Sequence, residues 1–199
     1  MGYREFNPKA EALKRNFIPI LMIILVLASV TTPGCALGIR VRENSPTPKQ
    51  STAELERYTQ QASPIMKRHT DTTETTNQAN RAFLKVVASG NQKEVLKALT
   101  TYVDTLDWAL SRVDSELLDF KKLIPPPEAR TFHSLMIEGL TKEQDGLANT
   151  LSYYSSVLRY GFGDSEALNR GNDQLLEAQK IWLQVQYELQ DLLQKATNR

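Results

Sequence analysis

From residue 51 onward, apolar side chains recur in steps of three and four, a period that fits helices and not strands. The second of four such segments shows it best. Leu96, Leu99, Val103, Leu106, Leu110, Val113, Leu117, Phe120 and Ile124 are nine consecutive seam positions, all apolar. The fourth segment runs Leu168, Gly171, Leu175, Ala178, Trp182, Val185, Leu189, Leu192, Ala196. The third is weaker (His133, Ile137, Leu140, Gln144, Leu147, Leu151, Tyr154, Leu158). The first is weakest (Leu55, Tyr58, Ala62, Ile65, His69, Thr72, Thr76, Ala79, Phe83, Val86). No strand-like alternation interrupts them.

Turn chemistry falls between these segments. Ser51 with Glu54, and Asn91 with Glu94, have capping-box spacing. Gly90 suits a left-handed helix end. Pro125-Pro126-Pro127 stops the second helix, and Pro127 is tolerated in the first turn of the third. Gly161-Phe162-Gly163 forms the last turn, with Asp164 as N-cap. The four segments are about 37, 33, 35 and 34 residues long, each on the order of 50 Å. Matched lengths and short connections predict an all-α fold, an up-down-up-down four-helix bundle over 51–199. A three-helix bundle with a loose first segment is the competing architecture. Pro64 and the poor helix formers HTDTTETT (69–76) leave two forms open for the first segment, one bent helix or a broken pair.

Catalysis needs a base, a nucleophile or a metal at workable spacing. The chain has two histidines and one cysteine, and neither histidine lies in a Glu-x-x-His, HExxH or His-x-x-x-His pattern. GFGDS (161–165) follows no strand and is only superficially a phosphate loop. A non-enzymatic protein without cofactor or metal is expected. The formal net charge of +1 gives no basic excess for nucleic acid, and Lys121-Lys122 is too small a patch for phosphate.

Two polar interruptions of the seams coincide in register. In a level up-down bundle, His69 and Gln144 lie at one height, with Leu106 and Trp182 nearby. His69, Thr72, Gln144 and the Trp182 indole N–H thus form a candidate polar layer. It is either a core hydrogen-bond network that fixes register, or a small-molecule or proton-sensing site. The third segment carries a second set at spacing seven: Phe132, Gly139, Gly146, Tyr153, Tyr160. Glycine inside a helix costs about 1 kcal/mol relative to alanine, so something packs closely there, either a neighbouring helix or a partner protein. Trp108, at an outward position with Arg112 one turn on, is the other candidate partner contact.

The N-terminal part is of another kind. Lys14 and Arg15 precede a 14-residue apolar run, Phe17 to Val30, and small residues follow. As a helix this run extends about 21 Å, short of a hydrocarbon core of about 30 Å. Of 24 Lys/Arg and 23 Asp/Glu in the chain, four and two fall in the first 35 residues. That leaves 20 against 21, so the basic excess sits in the leader, as in a signal peptide. Gly34-Cys35 after the apolar run resembles the lipoprotein signal of bacteria, which implies diacylation of Cys35 and its exposure as the first residue of the mature chain. Thr32 and Pro33 stand where that pattern carries leucine and a small residue. Retention as an anchor, or cleavage after Ala36, are the alternatives. Residues 36–50, with Pro46 and Pro48, form a linker of at most about 50 Å. The remainder resembles the uncharacterised helical domains that stand behind lipoprotein signals in bacteria, a likeness that implies no activity. The expectation is a membrane-tethered, extracytoplasmic interaction or structural module with a protein partner. The alternative is a ligand-sensing or carrier bundle using the layer around His69 and Gln144.

Overall fold

A computed structural model describes residues 50–197, and side chains over 53–192. Cys35, the signal-like segment 1–35 and the linker up to residue 49 lie outside the described residues, as do the side chains of Ser51 and Ala196. Within the described residues there is no strand. Four long helices pack against each other: α1 (Gln50–Ser89), α2 (Gln92–Lys121), α3 (Arg130–Tyr160) and α4 (Ser165–Thr197). One 3-10 turn, Pro127–Ala129, precedes α3.

The connections follow the sequence chemistry. Gly90 (φ 71) and Gly161 (φ 82) take the left-handed conformation that ends a helix, where a β-carbon would be strained. The Gly161 N–H closes α3 on the Val157 carbonyl at 2.9 Å. At the start of α2, Asn91 Oδ1 accepts from the Glu94 N–H, and ahead of α4 Asp164 Oδ1 accepts from the Glu166 N–H at 2.9 Å. The prolines turn the chain but delay the third helix: 127–129 form the 3-10 turn and α3 proper starts at Arg130.

α1 is a single 40-residue helix that runs through Pro64 and through 69–76. Two local effects favour breakage there, and packing overrides both. Pro64 lacks the N–H of one intrahelical bond, yet its neighbours Ala62 and Ile65 are buried against the other helices. Four of the five threonines turn their hydroxyls back on the helix: Thr70, Thr72, Thr75 and Thr76 each bond the carbonyl four residues earlier, at 2.8–3.1 Å, whereas Thr73 Oγ1 is buried without a protein partner. Those four polar groups are satisfied without unwinding the chain.

The core is one cluster drawn from all four helices. At its centre Phe83 stacks on Tyr102 (5.1 Å between ring centroids), and Tyr154 meets both edge-on at 5.7 and 5.2 Å. On the α2 seam Leu99, Leu106, Val113, Leu117 and Phe120 are buried, Val103 and Leu110 are half-buried, and the end positions Leu96 and Ile124 are exposed. On α3 both stripes reach the interior. Phe132, Gly139, Gly146 and Tyr153 of the second stripe are buried, as are Leu140, Leu147 and Tyr154 of the first, whereas Ile137, Leu151 and Leu158 are half-buried and Tyr160 is exposed. The reason is position in the chain's packing order. α3 lies against both α2 and α4, and a helix with two neighbours buries two stripes.

The α3–α4 contact is close at two glycines. A β-carbon on Gly171 would lie 2.8 Å from Thr150 Oγ1 and 3.0 Å from the Gly146 carbonyl oxygen. One on Gly146 would lie 2.7 Å from Leu175 Cγ. Alanine has the higher helix propensity, but here it meets backbone that cannot yield cheaply. Gly171→Ala is therefore expected to lower the unfolding free energy by about 1–3 kcal/mol, measured by urea denaturation. An unchanged or raised value would show that the two helices are not in this contact.

Candidate functional site

Four helices contribute to one polar layer. His69, on α1, sits with Nδ1 3.0 Å from Glu116 Oε2 of α2 and Nε2 3.3 Å from Glu143 Oε2 of α3. The Trp182 indole of α4 donates its N–H to the same Glu143 oxygen at 3.2 Å. Its ring lies on the imidazole, 4.5 Å between centroids at 35°. Thr72, one turn beyond His69, places Oγ1 3.0 Å from Glu116 Oε1 and 2.9 Å from the Arg68 carbonyl.

The arrangement dictates the protonation state. An ionised carboxylate only accepts, so an imidazole with a carboxylate oxygen at each nitrogen needs a proton on both. Burial alone would push the His69 pKa down. The charge of Glu143, together with the hydrogen bond and charge of Glu116, outweighs that and holds it above the ordinary value. The Trp182 face adds a cation–π contact. Glu116 and Thr72 are the most enclosed members, each 1% exposed, while the His69 side chain is 12% exposed. The bridge is thus buried on one side and within reach of solvent on the other.

Local structure explains how the indole fits. Gly139 lies directly under it, where a β-carbon would be 3.1 Å from the ring. Glu143 stands one turn further along the same face and receives the N–H. The glycine and the acid together form a seat for Trp182.

His69, Thr72 and Trp182 come together, but Gln144 is not a fourth member. It follows Glu143 by one residue and so sits at nearly the same height, yet it faces α2 and donates to Asp114 Oδ1 at 2.7 Å. The α2 member is Glu116 rather than a residue near Leu106. The count from level helix ends fails because α1 has 40 residues and α2 has 30. Glu116 lies off the seam, beside Val113 and Leu117, so the apolar periodicity does not single it out. A signal was available: an acid beside the apolar stripe of the helix next to the one carrying His69.

The other singled-out residues divide. Phe132, Gly139, Gly146 and Tyr153 are buried within the bundle and do not form an outer surface. Tyr160 does reach solvent, beside Phe162 and under Arg159. Trp108 is 40% exposed, with the Arg112 guanidinium 5.8 Å from its ring centroid. His133 takes a packing role. Its ring stacks on Phe120 at 5.1 Å, Nδ1 is 3.1 Å from the Tyr58 hydroxyl, and burial pushes its pKa down.

The carboxylates of the layer stand at opposite nitrogens of the ring, so the three groups do not converge on a point that could hold a cation. Among the described residues no group of three His, Cys, Asp or Glu is placed to bind a metal. No described helix is long and apolar enough to cross a membrane. No protein-family model, curated protein or solved structure matches the chain.

Removing the cation strands the buried Glu116. His69→Ala is expected to cost about 3 kcal/mol or more in unfolding free energy. His69→Leu combined with Glu116→Leu should cost much less than the single changes added together. A single-variant loss below about 0.5 kcal/mol would contradict the bridge.

The two histidines also give stability opposite pH dependence. The raised His69 pKa contributes stability that is complete below about pH 6.5 and lost as pH rises through the folded value. The depressed His133 pKa leaves stability fully present above about pH 6.5 and lost as pH falls through its folded value. Denaturation across pH 5–9 should show the alkaline loss disappear in His69→Gln and the acid loss shrink in His133→Gln. An alkaline loss that survives in His69→Gln would assign it to another group.

Proposed function

We propose that the protein is a non-enzymatic interaction or structural module, an up-down-up-down four-helix bundle tethered to a membrane outside the cytoplasm through its N-terminal segment. One observation carries this reading: the interior polar groups bond one another, and several large apolar side chains are left outside the core. His69, Thr72, Glu116, Glu143 and Trp182 bond one another across the interior. Meanwhile Leu176, Leu183 and Tyr187 are exposed on α4. Their spacing of seven and four residues puts them on one side of that helix, and apolar side chains aligned outside suit a protein partner.

The direction of the helices is supported by how contacts progress. On α1 and α2 the pairs Phe83–Tyr102, His69–Glu116 and Arg68–Asp119 run in opposite senses along the two chains. Tyr102–Tyr154, Asp114–Gln144 and Phe120–Phe132 do the same for α2 and α3, and Asn149–Gln174 with Glu143–Trp182 for α3 and α4. Between α1 and α3, Tyr58–His133, His69–Glu143 and Phe83–Tyr154 advance together. Opposed neighbours and a parallel diagonal are what up-down-up-down connectivity requires.

The tether rests on the sequence: basic residues, a short apolar run, then Gly34-Cys35. A second reading, proton sensing by the same bundle, is favoured by the layer itself. One histidine there touches Glu116, Glu143 and Trp182 from three other helices and is partly open to solvent. A carrier of organic ligands is less well supported, because both ring nitrogens and one ring face are already occupied by protein groups.

Expressed in a bacterium with lipoprotein-processing enzymes, the full chain should fractionate with membranes and yield a mature N-terminus of acylated Cys35 by mass spectrometry. Cys35→Ser should abolish that product. A photocrosslinker at position 183 should then give a discrete heavier species, and one at the exposed Glu74 of α1 should not. Unmodified Cys35 would contradict the lipid tether, and an uncrosslinked chain from position 183 would contradict the interaction surface.

A further inference from the structure

Away from the charged layer, roughly 16 Å along α1 by helical rise, two buried polar atoms have no protein partner. They are Asn80 Oδ1 on α1 and the Tyr154 hydroxyl on α3. Asn80 is 8% exposed and Tyr154 is 1% exposed. Both residues line the same small, half-enclosed cavity, of about 30 Å³, together with Tyr102 of α2, Thr150 of α3 and Leu168, Asn172 and Leu175 of α4. Buried polar groups in folded proteins are almost always hydrogen-bonded, to protein or to ordered water. Two orphans on the walls of one space therefore call for an occupant that pairs with both.

The chemistry of the walls narrows that occupant. Asn80 Oδ1 accepts and the Tyr154 hydroxyl can donate, so a molecule that both donates and accepts bridges them. No lining residue is charged, which disfavours an ion left without a counter-charge. A space of about 30 Å³ holds one or two waters, whereas organic ligands occupy roughly ten times that or more. Thr150 turns its hydroxyl onto the Gly146 carbonyl at 2.8 Å, so its oxygen retains acceptor capacity for a second water. The cavity adjoins the glycine crossing described above, where Gly171 packs on Thr150.

We propose that this cavity is an internal hydration site: one or two ordered waters bridge Asn80 of α1 to Tyr154 of α3 and complete the polar bonding of the bundle at this level. The bridge is neutral and does not depend on the His69 layer, so it persists where that layer loses its proton.

The test is water–protein cross-relaxation NMR on the full chain, read at the Asn80 side-chain amide and the Tyr154 ring. Long-lived water contacts at both residues are expected in the parent, with loss of the Tyr154 contacts in Tyr154→Phe at unchanged helicity. Should that variant fail to fold, the parent spectrum and a high-resolution crystal structure of the full chain decide. Density for water within hydrogen-bond distance of both atoms supports the site. A dry cavity, a direct Asn80–Tyr154 bond, or an ion or organic molecule in that place overturns it.

Discussion

A carboxylate taken out of water is costly unless a cation stays beside it, and Glu116 is almost wholly enclosed. His69 supplies that cation, and in doing so engages Glu143 through its second nitrogen and Trp182 through its face. Much else follows from this one placement. Gly139 is a glycine because the indole must lie against its helix. Thr72 shares its hydroxyl between its own helix and Glu116. Buried ion pairs are weak sources of net stability, but they penalise wrong registers, since a slip of one turn leaves an unpaired charge inside. On this account the layer fixes the relative heights of four rods that an apolar seam alone would hold less specifically.

The rest of the interior complements it. Toward the Gly90 turn an aromatic cluster of Phe83, Tyr102 and Tyr154 fills the space between three helices. Toward the other end of α1, Tyr58, Phe120, Phe132 and His133 pack ring against ring. Apolar packing lies on both sides of the charged layer, which keeps its dielectric low and its interactions strong. The same enclosure makes the layer responsive to pH, because loss of one proton leaves two carboxylates facing each other across a neutral ring.

Helix existence was legible in the sequence because a period of three and four over a whole segment has few other solutions. The turns at Gly90 and Gly161 were legible for an equally local reason, the freedom of glycine at positive φ. Tertiary facts were less accessible. The continuity of α1 through Pro64 depends on what Ala62 and Ile65 pack against, which no local propensity reports. The second stripe on α3 points first to a neighbouring helix and second to a partner, and α4 packs on it at Gly139 and Gly146. The polar layer was half visible: His69, Thr72 and Trp182 interrupt or join seams in recognisable ways. Glu116 and Glu143 do not, since acids flanking a seam look like ordinary solvated positions until the helices are set at their heights.

The layer depends on the charge of one imidazole, and nitrogen-15 NMR of the histidine side chains observes that charge directly. A titration should find His69 protonated on both nitrogens at neutral pH, with a pKa above the ordinary histidine value. A neutral His69 at pH 7, or a pKa below about 6.5, would mean that Glu116 and Glu143 do not hold a cation between them.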